Sequence, residues 1–405
     1  MGDKKSNFSR NLVVGLFILM LGFGLGSLFP SLRETGGTVG TESGTYSTRE
    51  KLDTEAITEK IQLINTEIGK YYLEDVDNTD LEEGIYKGML FGLGDPYSGY
   101  YTADEYAQII ESTSGSYSGI GATLSQNQED GSCSVISTFA DSPAAEGGLL
   151  EGDIINKVDD MEVTGMDLSQ VVSYIKGEEG TQVTLTVLRD GRELEVTLAR
   201  RSIEVSTVTC EMMENRIGYI ALSEFDEVST KQFKAALQDL ESQGMEGLVV
   251  DLRNNPGGVL GVVVKILDML LPEGMVVYTE DKYGNREEYT ASADVETEVP
   301  LAVLINGNSA SASEIFAGAI KDYGRGILVG TTTFGKGIVQ RVMGLGDGSA
   351  IKLTIAAYYT PKGNNIHGKG IEPDVEVELT EENTAVDENG NTRDPQLEKA
   401  LELLQ

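Results

Sequence analysis

Two short stretches of the chain hold the residue types best suited to nucleophilic chemistry. Asn306-Gly-Asn-Ser309-Ala-Ser311-Ala-Ser313-Glu314 presents serine hydroxyls beside a glycine-bearing turn, and Thr333-Phe-Gly335-Lys336-Gly337-Ile-Val-Gln340 sets one lysine between two glycines. A serine needs a partner base to attack at neutral pH. The only histidine, His367, lies in Gly363-Asn-Asn-Ile-His367-Gly-Lys-Gly370, a run without the helix or strand periodicity that would hold an imidazole in place. Lys336, 25 positions after Ser311, is the better base, and serine–lysine pairs are a known variant of triad logic. A lysine with its ordinary pKa of about 10.4 is protonated at neutral pH, so Lys336 must be stripped of water to serve. Phe334, Ile338 and Val339 beside it offer an apolar setting.

The serine stretch follows Leu301-Ala-Val-Leu-Ile305, an apolar run that reads as a buried strand, and precedes a helical pattern reaching Asp322. Such a strand-turn-helix arrangement lifts Ser311 to a helix N-terminus. There the first free N–H groups and the helix dipole favour developing negative charge, which makes the Ala312 N–H a donor for a tetrahedral oxyanion. No cluster of His, Cys, Asp or Glu shows metal-ligand spacing, so neither a metal nor a cofactor is expected.

Several elements must position these residues. Ile57, Ile61, Ile64 and Ile68 recur at helical spacing, as do Leu81, Ile85 and Met89, and Thr102-Ala-Asp-Glu105 has the form of a capping box opening a third helix. Thr181–Leu188 and Glu193–Leu198 alternate around the turn Arg189-Asp190-Gly191-Arg192, a hairpin signal. From Ser202 to about Leu379 strands and helices alternate: strands at Ile217–Leu222, Gly247–Asp251, Leu301–Ile305, Ile327–Val329 and Ile371–Leu379, with helices near Thr230–Gln243, Val259–Leu271 and Ser311–Asp322. Asp347-Gly348 marks a hairpin, and Gln396–Leu404 closes the chain as a short helix.

At 405 residues the chain has room for two or three domains. Its 66 acidic against 31 basic residues give a formal charge of −35, which repels nucleic acid and anionic lipid from the main body. Asn11–Phe29 is a run of 19 uncharged, mostly apolar residues, and as a helix it would span about 28 Å, close to a bilayer core. Lys4, Lys5 and Arg10 precede it, so the positive-inside tendency puts the short N-terminus in the cytoplasm and the body outside. A cleaved signal peptide is the rival, but Gly26-Ser27-Leu28-Phe29-Pro30 lacks the small-residue cleavage pattern. Ser31–Glu50 holds twelve Gly, Ser or Thr and reads as a flexible tether. Cys133 and Cys210 show no metal-like spacing and read as isolated thiols.

The serine and lysine motifs do not stand alone. With Gly92-Leu-Gly-Asp95-Pro96-Tyr97-Ser98, Tyr117-Ser-Gly119-Ile-Gly121-Ala, Asp251-Leu-Arg253-Asn-Asn-Pro-Gly257-Gly258 and Gly370-Ile-Glu-Pro373-Asp374, they resemble, in type and order, the motifs of the C-terminal processing peptidases, or tail-specific proteases. The resemblance covers roughly residues 50 to 380. It implies a multidomain α/β protein: an α/β serine-peptidase core with a helical N-terminal region and an inserted, β-rich PDZ domain acting as a movable lid. The expected divisions are a cytoplasmic N-terminus (1–10), a single membrane anchor (11–29), a linker (30–50), N-terminal helices (51–112), the PDZ domain (113–200), the peptidase core (201–380), and an acidic loop with a C-terminal helix (381–405).

The resemblance also assigns roles. It selects Ser311 as nucleophile, leaving Ser309 as a pre-helix cap and Ser313 as a first-turn packing residue. It makes Lys336 the base and Gln340 the residue that orients it, and draws the second oxyanion donor from Gly257 or Gly258, where glycine permits close backbone approach. Ser118, Gly119, Ile120 and Gly121 would bind the free C-terminus of a protein or peptide substrate as an added strand. Lys176 stands where many members carry an arginine implicated in gating; it keeps the charge and loses the planar fork. The implied partners are such substrates, the membrane through the N-terminal helix, and a second copy of the chain in a homodimer through the N-terminal helices. A catalytically silent PDZ receptor or scaffold on the same fold is the alternative, and a crotonase-like acyl-thioester enzyme would not explain the PDZ insertion or the lysine motif.

Overall fold

The central sheet is built from runs that are apolar at every position, as parallel strands covered on both faces require. In the computed structural model, which describes residues 51–128, 130–292, 295–380, 383–384 and 393–405, all five residues of Gly247–Asp251 and of Leu301–Ile305 are buried. The sheet runs in the order Val208–Met212, Ile217–Leu222, Gly247–Asp251, Leu301–Ile305, Ile327–Gly330 and Val375–Glu376. The first pair is antiparallel and the other pairs are parallel. Helices Ser229–Ser242, Leu260–Asp268 and Ala312–Tyr323 bury Phe233, Leu237, Val263, Ile266, Phe316 and Ile320 in one core with this sheet. Helix Pro395–Leu403 places Ala400, Leu397 and Leu401 in a smaller cluster with Val249, Ala302 and Leu304. The membrane anchor and linker expected at 11–50 lie outside the described residues; among those described, no helix is long and apolar enough to cross a membrane.

A second sheet joins distant parts of the chain. Strand Ala350–Tyr359 pairs antiparallel with Ile338–Gly344, with Gly274–Asp281 and with the short strand Gly99–Tyr101, while Gly274–Asp281 continues into Arg286–Ala291. The last hairpin has no clear alternation in sequence. Tyr278 stacks on Tyr359, its partner on strand Ala350–Tyr359, with ring centroids 4.9 Å apart.

Helices Thr54–Tyr71 and Asn78–Phe91 occupy the N-terminal region and bury no residue fully. Of the apolar stripes read from the sequence, Ile57, Ile64, Ile85 and Met89 are exposed and Ile61, Ile68 and Leu81 half-buried, and Leu63, Tyr71, Tyr72 and Phe91 beside them are exposed as well. The third helix, Ala103–Ser114, starts with the capping box expected at Thr102 and Glu105 and stops at Gly115 in the left-handed conformation.

Strands Ala122–Gln126, Cys133–Thr138, Ile154–Val158, Gln182–Arg189 and Arg192–Ala199 form a separate sheet with its own core, including Val135, Ile155, Val171, Val183, Leu185 and Val187. The ribbon Ser116–Gly119 with Arg201–Glu204 brings the two ends of this module together as a neck. Cys133 is buried in the module, Cys210 is exposed on the core sheet, and both are free thiols.

Expectation and structure differ at the end of the core. The sequence predicts one strand over Ile371–Leu379, but only Val375–Glu376 pairs, against Val329 and Gly330. Pro373 has no N–H to give, and backbone bonding starts at Asp374, whose N–H donates to the Leu328 carbonyl at 2.8 Å while its carboxylate accepts from the Leu328 N–H at 2.9 Å.

One buried acid in this frame titrates far from its usual range. Asp226, just after strand Ile217–Leu222, is pushed up to about 7 by burial and then by the charge of Glu224. Its unfolded form ionises near 3.8, so the native state binds the extra proton and loses stability as pH rises from about 4 to 7, with the full deficit above 7. Asp226→Asn removes that deficit: thermal unfolding should show Tm raised by about 5 °C at pH 8 and nearly unchanged at pH 4.

Candidate active site

Ser311 sits at the sharp junction between strand Leu301–Ile305 and helix Ala312–Tyr323, with φ 53° and ψ −111°. A positive φ in a non-glycine residue is strained and persists only where surroundings enforce it. The enforcement is visible. Asn254 and Asn306 lock the preceding turns together, the Asn254 N–H donating to Asn306 Oδ1 and the Asn306 amide to Asn254 Oδ1, both at 3.0 Å. The Ser309 hydroxyl, fully buried, donates to the Leu252 carbonyl at 2.7 Å and accepts from the Asn306 N–H, so it pins the turn to the neighbouring strand rather than capping the helix. The Ser313 hydroxyl donates to the Asn255 carbonyl at 2.9 Å. Of the three serines, only Ser311 is partly exposed.

The Asp251–Gly258 segment folds against this junction. At Gly257, with φ 111°, a Cβ would lie 2.8 Å from the Ala310 carbonyl oxygen and from Ser311 Cβ, and 2.9 Å from the Ala312 nitrogen. Only glycine fits. The Gly257 N–H already donates to Asn255 Oδ1 at 2.8 Å, which leaves Gly258 as the donor this turn can direct at a substrate oxygen. Gly258, Ser311, Ala312, Ile338, Gln340 and Tyr358 line one small pocket. Ala312, as the first residue of its helix, has an N–H with no intrahelical acceptor.

Lys336 is buried, 7% exposed, and its amine is held below the ordinary lysine range by that burial, against the opposing charges of Glu314 and Asp95. The shielding differs from that expected from sequence: Phe334 is 53% exposed, and the ring over the amine is Tyr97, 4.9 Å from Lys336 Nζ. Gln340 is buried, and neither its Oε1 nor its Nε2 has a partner, so it makes no hydrogen bond to the lysine. His367 is exposed.

Glu314 is a site residue that sequence reasoning misses. Its buried carboxylate accepts the Ser311 and Lys336 N–H groups on one oxygen, at 2.9 and 2.7 Å, and the Gly335 N–H and Thr333 hydroxyl on the other, both at 2.7 Å. One side chain thus ties the serine turn to the lysine turn. Burial raises its pKa, opposed by hydrogen bonds from Thr333, Gly335, Lys336 and Ser311. Tyr358 repeats the link from the other side: its hydroxyl lies 2.6 Å from the Lys336 carbonyl oxygen and 3.0 Å from that of Ser311. The signal available in sequence is local only, a glutamate three residues into a helix, which reads as half of a capping box.

The remaining expected residues lie apart from this centre. Ser118 and Gly119 belong to the neck ribbon, the Ser118 hydroxyl buried without a partner; Ile120 is buried in the module's core, and Gly121 has φ 76°. Strand Ala122–Gln126 pairs on one side with Cys133–Thr138 and stands at the sheet edge on the other, packed near helix Leu168–Ile175. An edge strand beside a helix is the geometry that accepts an added peptide strand. Lys176, at the end of that helix, makes an ion pair with Glu111 at 2.5 Å and lies 4.9 Å from the Tyr117 ring centroid. Its side chain reaches Glu111 on the third N-terminal helix, not Gln340.

Replacing Glu314 by Gln would face two of the four converging N–H or O–H donors with an amide NH₂. Urea denaturation of Glu314→Gln should show a stability loss of about 3 kcal/mol, with the midpoint lowered and the slope unchanged.

Comparison with known proteins agrees with this architecture. Residues 216–377 match the model of peptidase family S41, residues 139–189 that of the PDZ domain, and residues 28–105 that of the activating protease CtpB N-terminal domain. A carboxyl-terminal-processing protease of Synechocystis is 37% identical over 341 residues, covering 83% of this chain and 79% of that one. A probable CtpA-like serine protease of Staphylococcus epidermidis is 38% identical over 321 residues, 78% of this chain and 65% of the relative, so the chain spans just under two thirds of that protein's length. The solved structure of a photosystem II D1 C-terminal processing protease is 31% identical, covers 84% of this chain and 90% of its own, and superposes with a TM-score of 0.48. By sequence, the chain belongs to the carboxy-terminal processing proteases of peptidase family S41 and carries their PDZ domain.

Proposed function

We propose that the chain is a serine endopeptidase that captures polypeptide C-termini in its PDZ groove and hydrolyses peptide bonds with Ser311 and Lys336. The neutral Lys336 amine takes the Ser311 proton as the oxygen attacks the scissile carbonyl, and the N–H groups of Ala312 and Gly258 hold the oxyanion. Collapse of this intermediate breaks the C–N bond, the proton passes from Lys336 to the leaving amine, and the acyl group stays on Ser311. Water, giving a proton to Lys336, then frees the carboxylate product and restores the serine. Gln340, neutral and buried beside the pocket, orients the amine once the lysine side chain turns from Tyr97 towards it.

The observation that carries this reading is the convergence of a strained, partly exposed serine and a buried lysine on one carboxylate, Glu314. The apolar run 11–29 with its basic flank supports a single-pass anchor and a body outside the cytoplasm, and the exposed apolar stripes of the N-terminal helices suit a homodimer.

The test is degradation of a loosely folded protein with an apolar free C-terminus, followed by mass spectrometry of the fragments. Ser311→Ala and Lys336→Ala should each lower kcat/KM by about 10³-fold or more, and Gln340→Ala by about 10²-fold. An inactive parent that still binds the tail would favour the receptor alternative, and activity surviving Ser311→Ala would remove the proposed nucleophile.

A further inference from the structure

A second lysine is buried beside the first. Lys352, on strand Ala350–Tyr359, is 4% exposed, less than Lys336 itself, and the proposed chemistry does not use it. The two amines share a wall. Segment 95–101 runs along this strand, with Gly99 opposite Lys352, Tyr101 opposite Ala350, and the Thr354 N–H donating to the Ser98 hydroxyl at 3.1 Å. Tyr97 of the segment covers Lys336 Nζ, and Tyr101 covers Lys352 Nζ at 5.2 Å from its ring centroid. Asp95 closes the arrangement. Its carboxylate accepts from the Tyr97 N–H at 3.0 Å and the Ser98 hydroxyl at 2.6 Å, which fixes it where its charge acts on both lysines. Two residues along the strand from Lys352, Thr354 is the register partner of Gln340. Lys352 therefore belongs to the wall that holds the serine–lysine centre.

Resting on the serine–lysine reading above, we propose that Lys352 and Asp95 are positioning residues of opposite sign for Lys336: the Lys352 charge repels the ammonium form of Lys336, and Asp95 sets how strongly that form is retained. Glu314 from the helix and Asp95 from the segment act on Lys336, and the charge of Lys336 in turn acts on Lys352 of the strand. Lys352 bears the mark of this coupling. Its pKa is brought down to about 8, by burial first and then by the charge of Lys336, with Asp95 opposing. Repulsion between two buried ammonium groups is mutual, so the pair loses its protons as a unit.

The sign of each substitution follows. A general base acts when neutral, so kcat/KM rises with pH through the Lys336 titration. Lys352→Met removes a neighbouring positive charge and should move this acid limb up by about one pH unit. Lys352→Arg makes the charge permanent and should move it down, as should Asp95→Asn, which removes the opposing negative charge. The experiment is the pH dependence of kcat/KM for the full chain and these three variants on one substrate, with circular dichroism melts to identify any that fail to fold. Opposite displacements for Lys352→Met and Lys352→Arg support the assignment, and Asp95→Asn carries the same test if a lysine variant does not fold. Variants that lose activity with the limb in place, or all move it the same way, overturn it. A parent whose activity survives Ser311→Ala fails differently: it removes the serine–lysine reading and this inference with it.

Discussion

Four hydrogen bonds on one buried carboxylate hold the site together. Glu314 is the point where the turn at Ser311 and the turn at Lys336, 25 residues on, are held together. Ser311 occupies a strained backbone region, and the lysine turn reverses through Gly335 with φ 91°. A buried carboxylate is costly unless its lone pairs are filled, and here each oxygen accepts two donors. The desolvation of the acid and the strain of the serine offset one another's alternatives, since relaxing either turn would orphan the charge. Thr333 extends the network, accepting the Ile371 N–H at 2.7 Å while donating to Glu314, so the loop beyond the lysine strand is held by the same centre.

Much of this arrangement is legible in local sequence pattern. Leu301–Ile305, the Asn-Gly-Asn turn and the helical run after Ser311 carry their geometry in apolar period and turn chemistry, and the observed elements begin and end within a residue or two of that reading. The features that escape it depend on partners far along the chain. Glu314 looks like an ordinary helix-start acid until Gly335 and Lys336 arrive on it. Phe334 looks like the apolar cover for the lysine, yet it faces solvent while Tyr97 takes that place from more than two hundred residues upstream. The strand expected over Ile371–Leu379 is shortened to Val375–Glu376, with Pro373, which has no N–H, just before the bonded stretch, and apolar alternation does not report this. That the Gly257 N–H is taken up by the side chain of Asn255 is likewise not legible in sequence.

The PDZ module is joined to the body by a ribbon of four residue pairs, and its helix end is tied to the N-terminal helices through Lys176 and Glu111. Both side chains are about one third exposed, so the ion pair is screened and contributes little to stability by itself. A weak contact at the end of a narrow neck restrains the module little. The centre of the molecule has the reverse character, with buried hydrogen bonds and a continuous apolar core.

The pairing of segment 95–101 with strand Ala350–Tyr359 has a consequence for the way the chain is made. The Thr354 amide and the Ser98 hydroxyl are 256 residues apart, and contacts of such separation form late, after the loop between them has been ordered by nearer interactions. A growing chain emerges N-terminal end first. Throughout most of its synthesis the first half of this pairing therefore waits without its second, and the tyrosine that strips water from Lys336 is elsewhere. A copy in which this pairing has not formed lacks the Tyr97 ring over Lys336, so the chemistry proposed for this chain depends on segment 95–101 meeting strand Ala350–Tyr359.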